Sequence, residues 1–216
     1  MTAKPNPHLV PLSISIRPMI FEDVARTYDL IRRCYPLRHP ARGALELYTT
    51  GDNRYVGLCA DLADYSKPYR NHSDPHRQTV AVLCGKIVSD CGRFGRRLEI
   101  NSISVQAPQR RRGIATRLLR RACQRVVMSQ VHATVSEYNT AAQVFLRSCG
   151  LACEIAETAA SGDERIGDIY KFIAPNSDAI EHAIGRKCAD KYEPFMPSEG
   201  TRRHEAESDA GCSGRR

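Results

Sequence analysis

The chain has 216 residues, 42% of them hydrophobic, no tryptophan and a formal net charge of +8. That supplies one domain of ordinary size with tails around an aliphatic core, and the positive surplus favours anionic partners without naming one. No stretch approaches the roughly 18 apolar residues of a spanning helix, and the opening MTAKPNPHLVPLS sets prolines where a secretory signal needs a continuous apolar run, so a soluble, cytoplasmic protein is expected. The nine cysteines are an odd number spread through strand-like and helical stretches. CGKIVSDC and CGLAC lack the spacing and histidine partners of a zinc site, so buried free thiols and no metal are expected.

Residues 1–13 form a proline-rich lead-in, and SISIRPM alternates as a first strand with Ile14 and Ile16 on one face. FEDVARTYDLIRRCY places Val24, Tyr28, Ile31 and Tyr35 at helical spacing, Pro36 stops it, and a second short helix falls within PLRHPARGALELYTT. RYVGLCADL and TVAVLCGKIVSD are β-branched-rich strands, separated by ADYSKPYRNHSDPHRQ, a long polar loop. CGRFG has the glycines of a hairpin turn. RRLEINSISV follows as a strand, with Glu99, Asn101, Ile103 and Val105 expected on one face and Ile100, Ser102 and Ser104 on the other.

GIATRLLRRACQRVVMS carries an apolar stripe of Ile114, Ala115, Leu118, Leu119, Ala122, Cys123, Val126 and Val127, with Arg117, Arg120, Arg121 and Arg125 away from it. VHATVSEY predicts a strand, and NTAAQVFLRSC a short helix capped by Asn139 and stopped at Gly150. LACEIAET and RIGDIYKFIA pair as final strands. A short helix over 177–190 precedes a charged, aperiodic tail. The expected architecture is a mixed α/β domain over 14–174, a mostly antiparallel sheet with helices on both faces, flanked by the lead at 1–13 and a polar tail at 175–216.

VQAPQRRRGIATRLLRR raises the functional question, since adjacent arginines repel and need a counter-charge. A helix start offers unpaired N–H groups and about half a positive charge. A diphosphate can accept several of those bonds if no side chain blocks its approach; Gly113 clears the closest point, Ala115 is the next smallest residue, and the arginines supply a positive rim. A triphosphate loop would need GxxxxGK[ST], and the single Gly-Lys pair, Gly85–Lys86, lies in a strand. A dinucleotide fingerprint would need two further glycines. Nucleic-acid binding by the basic helix lacks interleaved aromatics or a second basic helix.

The same segment resembles the acyl-CoA-binding motif of the GCN5-related N-acetyltransferases, Q/R-x-x-G-x-G/A, with Arg110, Gly113 and Ala115 at its fixed positions. NTAAQVFLRSCGL is similar to a second family segment through Asn139, Ala142, Phe145 and Gly150, and looks closest to the branch that acetylates the N-terminal alanine of a ribosomal protein. The resemblance implies the acyl-CoA N-acyltransferase fold and acetyl-CoA as co-substrate, lying between the INSISV and ATVSEY strands. Ile103, Ser104 and Val105 would hold the pantetheine arm. Amides from Arg111, Arg112, Gly113, Ile114, Ala115 and Thr116 would take the diphosphate, and Asn139 would reach the cofactor or simply cap its helix.

For the chemistry, the Val105 N–H is the candidate for polarising the thioester carbonyl. Glu99, eleven residues before Arg110, is either the base or a strand-end carboxylate beside Arg96 and Arg97. The tyrosine that serves the family as acid would fall at Leu146, and the glutamate of the ribosomal branch at Thr134; Tyr138, Glu137 and Tyr170 are the substitutes at hand. Neutralising a lysine at pH 7 costs about 4.6 kcal/mol, an α-amine only about 1. A site with a weak base and no placed acid therefore suits an α-amine, such as a protein N-terminus. A silent acyl-CoA-binding sensor or scaffold is the alternative to an enzyme.

Overall fold

β1 (Ser13–Pro18) opens the chain and pairs antiparallel with β2 (Tyr55–Ala63), placing Ile14 opposite Leu62 and Ile16 opposite Ala60. The computed structural model describes residues 13–35, 40–63, 78–89, 95–125, 129–157 and 169–191. The lead at 1–12, the polar loop at 64–77, most of the CGRFG turn, Val126, Val127, the final turn and the tail after 191 lie outside the described residues.

Between β1 and β2 come a 3-10 turn (Phe21–Asp23), α1 (Val24–Cys34) and the short α2 (Arg42–Glu46). β3 (Gln78–Ser89) and β4 (Arg96–Val105) extend the sheet antiparallel. α3 (Ile114–Arg125) crosses to β5 (Gln130–Ser136), which pairs parallel with β4 over Arg97–Ile100 and Gln130–Ala133. α4 (Thr140–Ser148), β6 (Ala152–Glu157), β7 (Ile169–Ala174) and α5 (Ser177–Lys191) complete the chain. The sheet order is β1-β2-β3-β4-β5-β7-β6, antiparallel everywhere except β4–β5. The expected mixed α/β architecture with a mostly antiparallel sheet is what forms.

Two apolar clusters place the helices on opposite faces. Leu30, Ile31 and Leu45 of α1 and α2 pack on Cys59, Val82 and Cys84. Ile114, Leu118 and Leu119 of α3, Leu146 of α4 and Ile180 and Ile184 of α5 pack on Leu58, Leu83, Leu98, Val131 and Phe172. At Gly150, φ is +88° and a Cβ would lie 2.9 Å from that of Ala183, so glycine is required where α4 ends against α5. The domain edge expected at residue 174 falls short, because Ile180 and Ile184 of α5 are buried in the same core as the sheet. The polar residues around them hid that pair in the sequence.

β4 departs from simple alternation. Lys86 faces Glu99 and Gly85 faces Ile100, yet the next partner of β4 is Cys84 with Ser102, so Asn101 is an extra residue in the strand. Such a bulge advances the side-chain pattern by one position. Beyond it Ile103 and Val105, opposite Leu83 and Ala81, join the α3 side; Glu99, opposite Lys86, and Ser102 and Ser104, opposite Cys84 and Val82, face α1 and α2. The expectation that Glu99, Ile103 and Val105 share a face is thereby corrected, the inserted Asn101 being the reason.

A buried ionic knot joins β1, β2 and the entry to α1. The Arg17 guanidinium, 7% exposed, is paired with both oxygens of Asp23 and, through Nε, with Asp61 Oδ2 at 2.8 Å. Thr79 Oγ1 donates to the other Asp61 oxygen at 2.8 Å. Despite burial, which disfavours its charge, the Arg17 pKa is held above its ordinary value by Asp23 and Asp61. Removing one partner from such a group leaves a buried charge uncompensated, whereas a surface pair is screened by water. Asp61→Ala should therefore lower unfolding free energy in urea by about 3 kcal/mol, while Glu181→Ala, which breaks the partly exposed Arg120–Glu181 pair at 2.7 Å, should cost less than about 1 kcal/mol.

Candidate active site

The parallel β4–β5 ladder ends at Ile100 opposite Ala133, and both strands continue for several residues beyond it. Main-chain groups alternate in direction along a strand. Gln106 N donates to Val80 O at 2.9 Å, on the β3 side, so the N–H and C=O of Val105 and Ile103 point the other way, into the gap left by β5. Ser104 has its backbone in the β3 ladder and its hydroxyl, 1% exposed, 3.2 Å from Ser102 Oγ. Of the three residues expected to line the cofactor arm, the fold brings Ile103 and Val105 to the gap and turns Ser104 away.

At the end of β4 the chain makes a 3-10 turn (Ala107–Gln109), and Arg110 folds back: its Nε donates to Val105 O at 3.1 Å, and a terminal nitrogen lies 3.8 Å from Cys34 Sγ. Arg111 (φ 63°) and Gly113 (φ 73°) then both adopt the left-handed conformation. Left-handed residues interleaved with right-handed ones turn successive N–H groups inward as an anion nest, and this nest runs directly into the start of α3. Arg117 N donates to Gly113 O at 3.0 Å, so the first helical bond spans Gly113 to Arg117, and the N–H groups of Ile114, Ala115 and Thr116 have no acceptor within the helix. A Cβ on Gly113 would meet no protein atom within 4 Å beyond its chain neighbours, so open space lies beside it at the start of α3. Arg111 and Arg112 are exposed beside these amides.

Asn139 stands on the far side of the gap. Its Oδ1 accepts from Ala142 N at 3.2 Å, capping α4. Near it lies the hydroxyl of Tyr35, which donates to Ile103 O at 3.2 Å. Tyr35 and Cys34, whose Sγ lies 3.7 Å from Val105 O, therefore end α1 against the open edge of β4. No short motif marks this pair. The available signal is Pro36, which pushes the preceding residue out of helical geometry; Tyr35 leaves the helix at φ −135° and ψ 76°. Burial, and secondarily Cys34, raise the Tyr35 pKa, partly offset by Asn139 and Arg110.

The remaining expected residues are more dispersed. Glu99 is half-buried on the α1 and α2 face, one residue before the ladder ends, with its carboxylate paired to Arg97 at 2.8 Å. His132 lies opposite it on β5; burial, then Arg97 and Lys171, hold its pKa below the ordinary value, so it is neutral at pH 7. Tyr138 is 66% exposed at the turn before α4. Thr134 is exposed on β5, and Leu146 is buried in the core. Tyr170 packs against the core opposite Val135.

Cys59, Cys84, Cys123 and Cys149 are buried free thiols, as expected, whereas Cys34 is half-buried and Cys153 exposed; burial pushes Cys84 and Cys123 up to about 12. Among the described residues no group of three or more His, Cys, Asp or Glu could hold a metal, and no helix is long and apolar enough to cross a membrane.

A sheet split between its two parallel strands, with an amide-lined turn closing the first, is the architecture of the acyl-CoA N-acyltransferases. The model of the acetyltransferase (GNAT) family matches residues 24–151, and the chain belongs to that family. It is an acyltransferase that moves an acetyl group from acetyl-CoA to an amine. No curated protein matches by sequence. Among solved structures the chain is similar to Arabidopsis thaliana NAA60 in complex with a bisubstrate analogue, at 21% identity and TM-score 0.61 over 75% of this chain and 97% of that one. It is similar to Arabidopsis thaliana Naa50 in complex with the bisubstrate analogue CoA-Ac-MVNAL, at 17% identity and TM-score 0.57, covering 76% and 99%. The ribosomal-protein-S18-alanine N-acetyltransferase of Escherichia coli also matches, at 14% identity and TM-score 0.57, covering 76% and 94%.

Because Asn139 caps α4, Asn139→Ala should lower stability by about 1 kcal/mol in chemical denaturation, and Asn139→Ser, which keeps a capping oxygen, by a few tenths at most.

Proposed function

We propose that this transferase acetylates α-amines at protein or peptide N-termini. The observation that carries the reading is the unpaired edge of β4, where Ile103 and Val105 offer main-chain groups to an extended acyl arm, continuous with the nest from Arg111 to Thr116. The arm adds to β4 as a short strand would, and the diphosphate takes the nest and helix-start amides. The Val105 N–H is aimed into the gap, while its carbonyl is already held by Arg110; the N–H bonds the thioester oxygen as charge gathers there. Glu99, on the opposite face of the sheet from the cofactor's entry at α3, accepts the amine proton directly or through water.

Preference for the α-amine follows from proton cost. Without a strong base, neutralising a lysine demands about 4.6 kcal/mol at pH 7 against about 1 for an α-amine. The similar structures of NAA60, of Naa50 with CoA-Ac-MVNAL and of the S18-alanine enzyme support the same acceptor class. Two peptides of one sequence, one with a free N-terminus and blocked lysine and the other reversed, test it by thiol release from acetyl-CoA. The free α-amine should react on the order of 100-fold faster; equal rates reject the assignment, and acetyl-CoA binding without release on any amine would mark a silent sensor.

Gly113→Val places a branched side chain before the nest at a left-handed position, at a folding cost of about 1–2 kcal/mol. Calorimetry should show coenzyme A affinity reduced on the order of 100-fold, with the circular dichroism of the folded protein retained.

A further inference from the structure

We infer that Tyr35 is a catalytic residue of the acetyl transfer, its hydroxyl supplying the proton that the coenzyme sulfur takes as the thioester carbon–sulfur bond breaks. This rests on the acetyl-transfer reading above and assigns a role left open there.

The placement of the hydroxyl is the principal observation. It crosses from the end of α1 to the gap and donates to Ile103 O at 3.2 Å. Asn139, at the start of α4, is near enough to lower the pKa of the phenol. The hydroxyl thus meets the edge of β4 just beyond the last paired residues Ile100 and Ala133. An acyl arm added along β4 from the nest meets Val105 before Ile103. With the thioester oxygen on the Val105 N–H, the sulfur lies beside Ile103 O, the acceptor the phenol uses. The phenol proton then turns from that carbonyl to the sulfur.

Other hydroxyls and thiols are worse placed. Tyr138 is 66% exposed. Tyr48 Oη accepts from Asn101 Nδ2 at 3.0 Å, back at the bulge. Cys34 Sγ is at Val105 O beside Arg110, one step toward the diphosphate nest. Position 146, on α4, carries a buried leucine with no proton to give.

Proton affinities are matched. Burial keeps Tyr35 protonated through neutral pH, and the same effect raises thiols here, with Cys84 pushed up to about 12. A thiolate released into a desolvated gap is therefore a stronger base than the roughly 8.5 of a thiol in water. The amine lone pair makes the C–N bond, and the C–S pair goes to sulfur with the Tyr35 proton. The proton shed by nitrogen returns to the phenol by way of Glu99 and water.

The test is Tyr35→Phe in the full chain, with acetyl-CoA and a mixture of pentapeptides beginning with Met, Ala and Ser as probes. Expected are a kcat lower by on the order of 100-fold, a coenzyme A Kd within about threefold of the parent by calorimetry, and an unchanged thermal midpoint that rules out misfolding. Wild-type kcat in the variant overturns the inference. So does a loss confined to KM or Kd, which would make the hydroxyl a binding group. If the unmutated chain itself binds no acetyl-CoA or releases no thiol, both this inference and the acetyl-transfer reading fail, and that failure is visible before any substitution is made.

Discussion

A parallel pair of strands can stay hydrogen-bonded only while both keep the same rise and twist. β4 gains one residue at Asn101, immediately after its last pairing with β5 at Ile100. A bulge increases local twist and bends the strand that carries it, so the two strands part at the point where the extra residue enters. The consequences follow in order. Main-chain groups of Ile103 and Val105 lose a neighbouring strand, the gap opens toward α3, and the nest at Arg111–Gly113 comes to stand at its outer end. The same inserted residue sorts side chains, sending Glu99 to one face and the Ile103 and Val105 side chains to the other.

The two faces of the sheet consequently hold different chemistry. The α3 side carries the amide-lined turn with exposed Arg111 and Arg112 beside it, suited to a long anionic cofactor. The α1 and α2 side carries Glu99, His132, Arg97 and the buried serine pair of β4. Tyr35 stands between the two, tying the end of α1 to the open edge of β4. A transferase needs such a division, because its two substrates have to approach one carbon without sharing a path.

Much of this was legible in the chain itself. Periodicity found the elements that bury a single face, with Leu118, Leu119 and Ala122 on α3 and Ile14 and Ile16 on β1, while β2 and β3, buried on both faces, were legible as short runs rich in apolar and β-branched residues. The amide-lined turn was legible because its demands are local, a small residue and a helix start, both written within seven consecutive positions. The bulge was not, since Asn101 fits an alternating strand as well as a bulged one, and the distinction depends on what β3 sets opposite it. Tyr35 was hidden for a related reason: it is 68 positions from the carbonyl that it meets, and only the packing of α1 on the sheet brings them together. α5 was undervalued because two buried isoleucines in a polar helix give a weak periodic signal.

The ionic knot of Arg17 with Asp23 and Asp61 fastens α1 at its first turn, while the opposite end is held by the packing of Leu30 and Ile31 and by the bonds of Cys34 and Tyr35 to β4. Eleven residues at 1.5 Å each make a rod of about 16 Å. A tilt of about 5° at the fastened end would displace the tip by about 1.4 Å, enough to make or break one hydrogen bond. On the role inferred for Tyr35, such a displacement acts on turnover from a site that touches neither substrate, and drift in the residues around Arg17 would register in the speed of the reaction rather than in the grip on the coenzyme.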